Sequence, residues 1–277
     1  MGNGTEIVMV YSPSRSSPSD EKQTFYTDSN GRQMVKRVQD TRFSYDLEGG
    51  NKIEPVSSNY YPINSAIMTQ VGSETWSVLT DRSQGATKIN PDEIEIMVHR
   101  RLFKDDHFGV DEPLDEHAFE VPMVARGKHL VYKNEQDNSI WRRLKSQEFY
   151  MGPLVMMHSG IFGSSLEEWL EKGIKEFSVL NQELPENVHL MTVENWDNRE
   201  NDPFDILLRF EHMFENSEEG GESIEIEIQE DIFKGLQLTD LVELSLGGDR
   251  SINEVQNKLK WSKSNFVSTI SISIFIF

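Results

Sequence analysis

The densest concentration of side chains able to do chemistry lies between Glu95 and Asp106, which reads Glu-Ile-Met-Val-His-Arg-Arg-Leu-Phe-Lys-Asp-Asp. Its first part alternates loosely, as a strand ending near Arg101 would, and a loop carrying two adjacent carboxylates follows. Arg100 and Arg101 beside Asp105 and Asp106 admit two readings. The four can form an ion-pair network that holds the loop, since charged strand ends are common. Alternatively, their fixed forks of donors and acceptors can point into a groove and hold sugar hydroxyls. Consecutive strand residues face opposite sides, so only one of the two arginines can serve such a groove. Leu79-Thr80-Asp81-Arg82-Ser83-Gln84-Gly85 has the same strand-then-turn pattern, with Asp81 expected as a local cap.

Other chemistries lack support. With no cysteine there is no disulfide framework, thiolate zinc site, cysteine nucleophile or iron–sulfur cluster. No Gly-rich loop ends in Gly-Lys-Ser/Thr, no GxGxxG follows a strand, and neither H-E-x-x-H nor G-x-S-x-G occurs. The seven histidines show no helical metal-ligand spacing, so each is expected to be packed or on the surface. No catalytic residue and no metal ligand is therefore assigned. With 47 acidic and 27 basic residues the net charge is −20, which disfavours nucleic acid or an anionic membrane as the main partner. No stretch approaches the ~18 apolar residues of a membrane span. The N-terminus lacks the basic start and apolar run of a signal peptide. Asn3-Gly4-Thr5 is a glycosylation sequon, relevant only on entry to the secretory pathway.

The elements that must position these residues are mostly strands. Phe43–Leu47, Trp76–Thr80, Ile94–Val98, Val188–Val193 and Ile206–Phe214 read as strands, and Ser223–Gln229 alternates strictly, which predicts burial of Ile224, Ile226 and Ile228. A helix is predicted over Ser165–Phe177, capped by Ser165 and Glu168, with an apolar stripe of Leu166, Trp169, Leu170, Ile174 and Phe177. A short second helix is expected over Ile252–Leu259. The fold class is mainly β: antiparallel β-sandwich sheets with one or two inserted helices. The expected division is a loose Ser/Pro-rich tail over 1–20, a large β-sandwich domain over 21–215, a small β unit over 216–261 and an atypical tail over 262–277.

Phe25-Tyr26-Thr27-Asp28-Ser29-Asn30-Gly31-Arg32 and Asn59–Asn64 look like the FYTDSNGR and NYYPVN blocks of the lysosomal-type α-mannosidases, glycoside hydrolase family 38. Leu79–Gly85 matches LTDRSQG. Glu95–Leu102 resembles ELMVHRRL, and Asp105–Leu114 follows the DD-x-x-GV-x-EPL block. Arg126-Gly127-Lys128-His129, Val188–Leu190, Leu208–His212 and Lys258–Trp261 fall in the family's order, so the likeness runs from about residue 21 to 261.

The resemblance implies the β-rich C-terminal region of an enzyme that cleaves α-linked mannose with retention, using zinc. It also implies mannose-containing glycans and a catalytic α-mannosidase domain as partners, and a lysosomal location; translated as given, without a signal, the chain would be cytosolic. The family's H-x-D zinc signature occurs nowhere in this sequence. The expectation is a piece of a longer enzyme, or a degenerate paralogue, that binds no zinc and does not hydrolyse mannosides alone. The alternative readings are a stand-alone carbohydrate-binding module and a purely structural β-sandwich. Two departures stand out. Relatives carry Asp-Asp-Gly-Arg-Gly-Val where this chain has Asp105-Asp106-His107-Phe108-Gly109-Val110, and the end from Ser262 no longer resembles the family, so its final strand is expected to be missing.

Overall fold

The computed structural model describes residues 4–12, 23–41, 54–71, 73–91, 93–109, 111–135, 138–157, 165–174, 176–196, 205–235, 237–255 and the strand at 274–276. The Phe43–Leu47 strand and the Asn3 sequon lie outside the described residues. The chain divides into two compact units, Met1–Gly152 and Pro153–Phe277, rather than near residue 215.

The first unit is two antiparallel sheets over one core. One sheet runs β1-β8-β7-β4, built from β1 (Thr5–Tyr11), β4 (Tyr61–Ile63), β7 (Gln84–Thr87) and β8 (Ile94–Arg101). The other runs β11-β6-β5-β2-β3, from β2 (Thr24–Ser29), β3 (Gln33–Val38), β5 (Ala66–Val71), β6 (Glu74–Thr80) and β11 (His129–Asn134). Ile63, Ala86, Ile94 and Ile96 of the first sheet meet Phe25, Ile67 and Val78 of the second, all essentially inaccessible to water. Alternation on β8 explains its side of the core: Ile94 and Ile96 point in, and Glu95 lies between them on the other face. A two-stranded ribbon of β9 (His117–Ala118) and β10 (Val121–Pro122) follows β8.

Three expectations are corrected here. The supposed loose tail contains β1, which pairs along β8 from Thr5↔Arg101 to Tyr11↔Ile94. A helix absent from the sequence reading, α1 (Ser139–Tyr150), is capped by Asn138, which accepts a hydrogen bond from Trp141 N at 2.8 Å. Its buried residues are Ser139, Arg142, Arg143 and Ser146, all polar, so no apolar stripe announces it. The predicted second helix is a single 3-10 turn, Ile252–Glu254, as far as the chain is described.

In the second unit, α2 (Leu166–Lys172) begins as expected, with Ser165 Oγ accepting from Glu168 N at 3.2 Å. It ends earlier, at Gly173, and buries none of its residues. Its sheet runs β12-β13-β15-β14, from β12 (Val188–Asn195), β13 (Ile206–His212), β14 (Val242–Leu244) and β15 (Ile274–Ile276). The C-terminal segment supplies a strand between β13 and β14.

Residues 223–229 form no strand, and no strand among the described residues pairs with them. Ile224 is exposed, while Ile226 and Ile228 are half-buried against a core of Val188, Leu208, Phe210, Ile232 and Phe233. Ile226→Asp is therefore expected to destabilise the second unit by about 1–3 kcal/mol, because it sets a charge against apolar groups. Glu225→Lys, at an exposed position, should stay within about 0.5 kcal/mol. Urea denaturation of both variants checks this, and equal losses would contradict the packing.

Candidate functional site

The loop that follows β8 is closed at its base, where Leu102 N donates to Leu114 O at 2.8 Å. The structure brings the four candidate residues to this end of β8, but it does not pair them with each other. Arg100 Nε lies 3.0 Å from Glu6 Oε1, its opposite number in the β1–β8 register. Arg101 turns the other way, bonding Asp115 through Nε and laying its guanidinium over the Phe103 ring at 5.0 Å. That bond holds the Asp115 carboxyl below its ordinary range. The Nη atoms of Arg101 carry no hydrogen bond among the described residues, so its donor fork stays available on the loop side.

Asp105 and Asp106 serve the loop. Asp105 Oδ2 accepts from His107 N at 2.6 Å, and Asp106 Oδ1 accepts from Phe108 N at 3.0 Å. Both are the short Asx turns that aspartates make with backbone two residues on. They leave His107 in the left-handed region, at φ 62°, and place Phe108 on the loop tip, 93% exposed. The phenyl ring therefore stands in solvent where the resemblance carries an arginine. It can stack but cannot offer that residue's hydrogen bonds.

Asp105, His107 and Asp111 form the one potential metal-ligating group among the described residues, with one donor atom from each lying within 4.8 Å of the others. It does not fit a resident zinc. The His107 and Asp111 side chains are 82% and 80% exposed, and the second ring nitrogen of His107 has no partner among the described residues. A ligating histidine is normally oriented through that nitrogen.

A second polar cluster escaped the sequence reading, since it joins residues far apart in the chain. Asp81 does not cap its own turn: its Oδ2 accepts from Lys128 N at 2.8 Å. Arg82 Nη1 donates to Arg126 O, and its guanidinium lies against Gly127, where a Cβ would sit 2.0 Å from Nη1 and oblige the arginine to shift. Beside it, Tyr11 Oη lies 2.6 Å from His129 Nδ1 and Gln84 Oε1 lies 2.7 Å from His129 Nε2. Tyr11, Arg82, Gly127 and His129, with Met9 and Val98, line a cavity of about 150 Å³.

Residues 6–108 match the Glycosyl hydrolases family 38 C-terminal domain. A stretch of 263 residues is 36% identical to the lysosomal alpha-mannosidase of Homo sapiens, covering 94% of this chain and 24% of that protein. This chain belongs to glycoside hydrolase family 38, as its C-terminal region. Family 38 relatives elsewhere agree: the lysosomal alpha-mannosidase of Bos taurus is 36% identical over 86% of this chain and 23% of that protein. The alpha-mannosidase of Canavalia ensiformis is 34% identical over 86% of this chain and 24% of its own length. The chain thus spans about a quarter of these family 38 relatives. Tyr11, Asp81, Arg82, Gln84, Arg100, Arg101, Asp105 and Asp106 fall within the residues matched by the family.

Proposed function

We propose that this chain is the β-rich C-terminal region of an α-mannosidase acting on α-linked mannose of glycoprotein glycans, and that its loop after β8 lines the substrate groove. The supporting observation is the match to α-mannosidases along nearly the whole chain, joined to a loop whose base is closed and whose Arg101, bonded to Asp115 through Nε, has no hydrogen bond at its Nη atoms among the described residues. The catalytic α-mannosidase domain of a longer polypeptide is the partner, and the zinc belongs to that part. The compartment is lysosome-like.

A retaining glycosidase needs two carboxylates about 5–5.5 Å apart across the scissile bond. Asp105 and Asp106 are engaged by their own backbone and are not offered as that pair. Arg101 instead donates to a sugar hydroxyl or to a catalytic carboxylate, where a planar fork binds in fixed geometry. Arg100, paired with Glu6, serves the fold.

The chain by itself is expected to be inactive. Purified protein with added zinc, assayed on an aryl α-mannoside, should release aglycone at the buffer rate. Zinc-dependent turnover that a single Asp or Glu substitution in this chain abolishes would overturn the assignment of catalysis to another part.

A further inference from the structure

His129 joins the edges of the two sheets in the first unit. It is the first residue of β11, an edge strand of one sheet; Tyr11 is the last residue of β1, an edge strand of the other. Its second partner, Gln84, opens β7. The hydrogen bonds set the tautomer of the neutral ring. Gln84 Nε2 donates to Met97 O at 2.8 Å, so Oε1 faces the imidazole and must accept from Nε2–H. Nδ1 then carries the lone pair and accepts from the Tyr11 hydroxyl. The Tyr11 and His129 rings also meet edge to face at 5.7 Å.

β1 has much to gain from such a clasp. Among the described residues it pairs with β8 alone, and Ile7, Val8, Met9 and Val10 are all substantially exposed, so little packing holds it. We propose that the Tyr11–His129–Gln84 clasp is a proton-operated latch, which secures β1 to the sandwich while His129 is neutral and loosens it on protonation. A second proton would sit on Nδ1, force the Tyr11 hydroxyl to reverse from donor to acceptor, and place a cation in a half-buried cavity beside Arg82.

The charged groups around the ring act in both directions. From the turn after β6, Arg82 opposes protonation and Asp81 favours it, and burial, the largest influence, opposes it, so the folded-state pKa lies below the ordinary value. Asp81 is also committed to Lys128 N and sits beside Arg82. From β1 the facing titratable group is Tyr11, itself kept neutral by burial. β8 contributes apolar Val98 to the cavity, and from β7 the uncharged Gln84 faces the ring at Nε2. With its folded pKa depressed, His129 gives full stability above its unfolded pKa and loses it as pH falls toward the folded value.

The test is amide hydrogen exchange on the full chain at pH 7.5 and pH 5.0, corrected for intrinsic rates, alongside an NMR titration of the His129 ring. Protection of β1 amides should drop severalfold at the lower pH, with a midpoint that tracks the His129 titration, while β12 and β13 change little. His129→Gln should abolish the pH dependence. Tyr11→Phe, which keeps the ring, should lower β1 protection at pH 7.5 toward the acid value. Equal β1 protection at both pH values, a midpoint unrelated to His129, or a drop that survives in His129→Gln would overturn the latch.

Discussion

Asp28→Ala is expected to cost the first unit about 3–4 kcal/mol, the largest stability effect of any single substitution considered. Asp28 is buried, and its carboxylate ties two turns together. Oδ1 accepts from the backbone N–H of Asn64, Ser65 and Ala66, at 2.8, 3.0 and 3.0 Å. Oδ2 accepts from Gly31 N at 2.9 Å and from the Ser65 hydroxyl at 3.3 Å. Removing it orphans buried donors, a cost above that of losing a neutral hydrogen bond. It also releases the β2–β3 turn, whose Asn30 and Gly31 hold left-handed backbone with φ of 52° and 75°. Asp28→Asn retains one acceptor oxygen but places an amide donor near another donor, so it should recover only part of the loss. Urea titration followed by exchange of β2 and β5 amides measures both. A loss under about 1 kcal/mol for Asp28→Ala would show that the turns do not depend on it.

In a full-length family 38 relative carrying this chain in place of its matched region, Arg101→Ala should lower kcat/KM by roughly 10²-fold, the scale seen on removing one preorganised donor to developing charge. The melting temperature should hardly move, because the Arg101–Asp115 pair is partly solvated. Arg100→Ala should leave kcat/KM nearly unchanged, since that side chain is directed to Glu6. The asymmetry is the informative feature. Equal losses from both would indicate a general electrostatic role, and full activity in both would leave the strand end as scaffold.

The fold was legible where burial follows period. Ile94 and Ile96 alternate with Glu95, and β8 lies where that pattern puts it, as do β12 and β13. Local chemistry was legible too, as at Ser165, whose cap forms although the helix behind it is short. What failed depends on partners distant in sequence. The alternation at Ser223–Gln229 equals that of any strand, but no strand among the described residues pairs with it. α1 hides because the residues it buries include Arg142 and Arg143. β1 hides because an apolar run of four residues is followed by Ser and Pro, and only β8 turns it into a strand. At the candidate site, residue types and the loop were readable. The partners Glu6 and Asp115 were not, and neither was the joining of Tyr11, Gln84 and His129, because spacing carries no record of which strands become neighbours.

The claim that the loop after β8 belongs to the substrate groove is tested most directly by excision. The Leu102–Leu114 hydrogen bond closes the loop at its base, so residues 103–113 can be replaced by a short Gly-Ser link without unravelling β8. The measurement is kcat/KM on an aryl α-mannoside, with the melting temperature, for the full-length graft with and without the loop. The predicted result is an active graft whose turnover collapses on excision while its melting temperature is preserved. Undiminished turnover after excision would contradict a place for this loop in the groove.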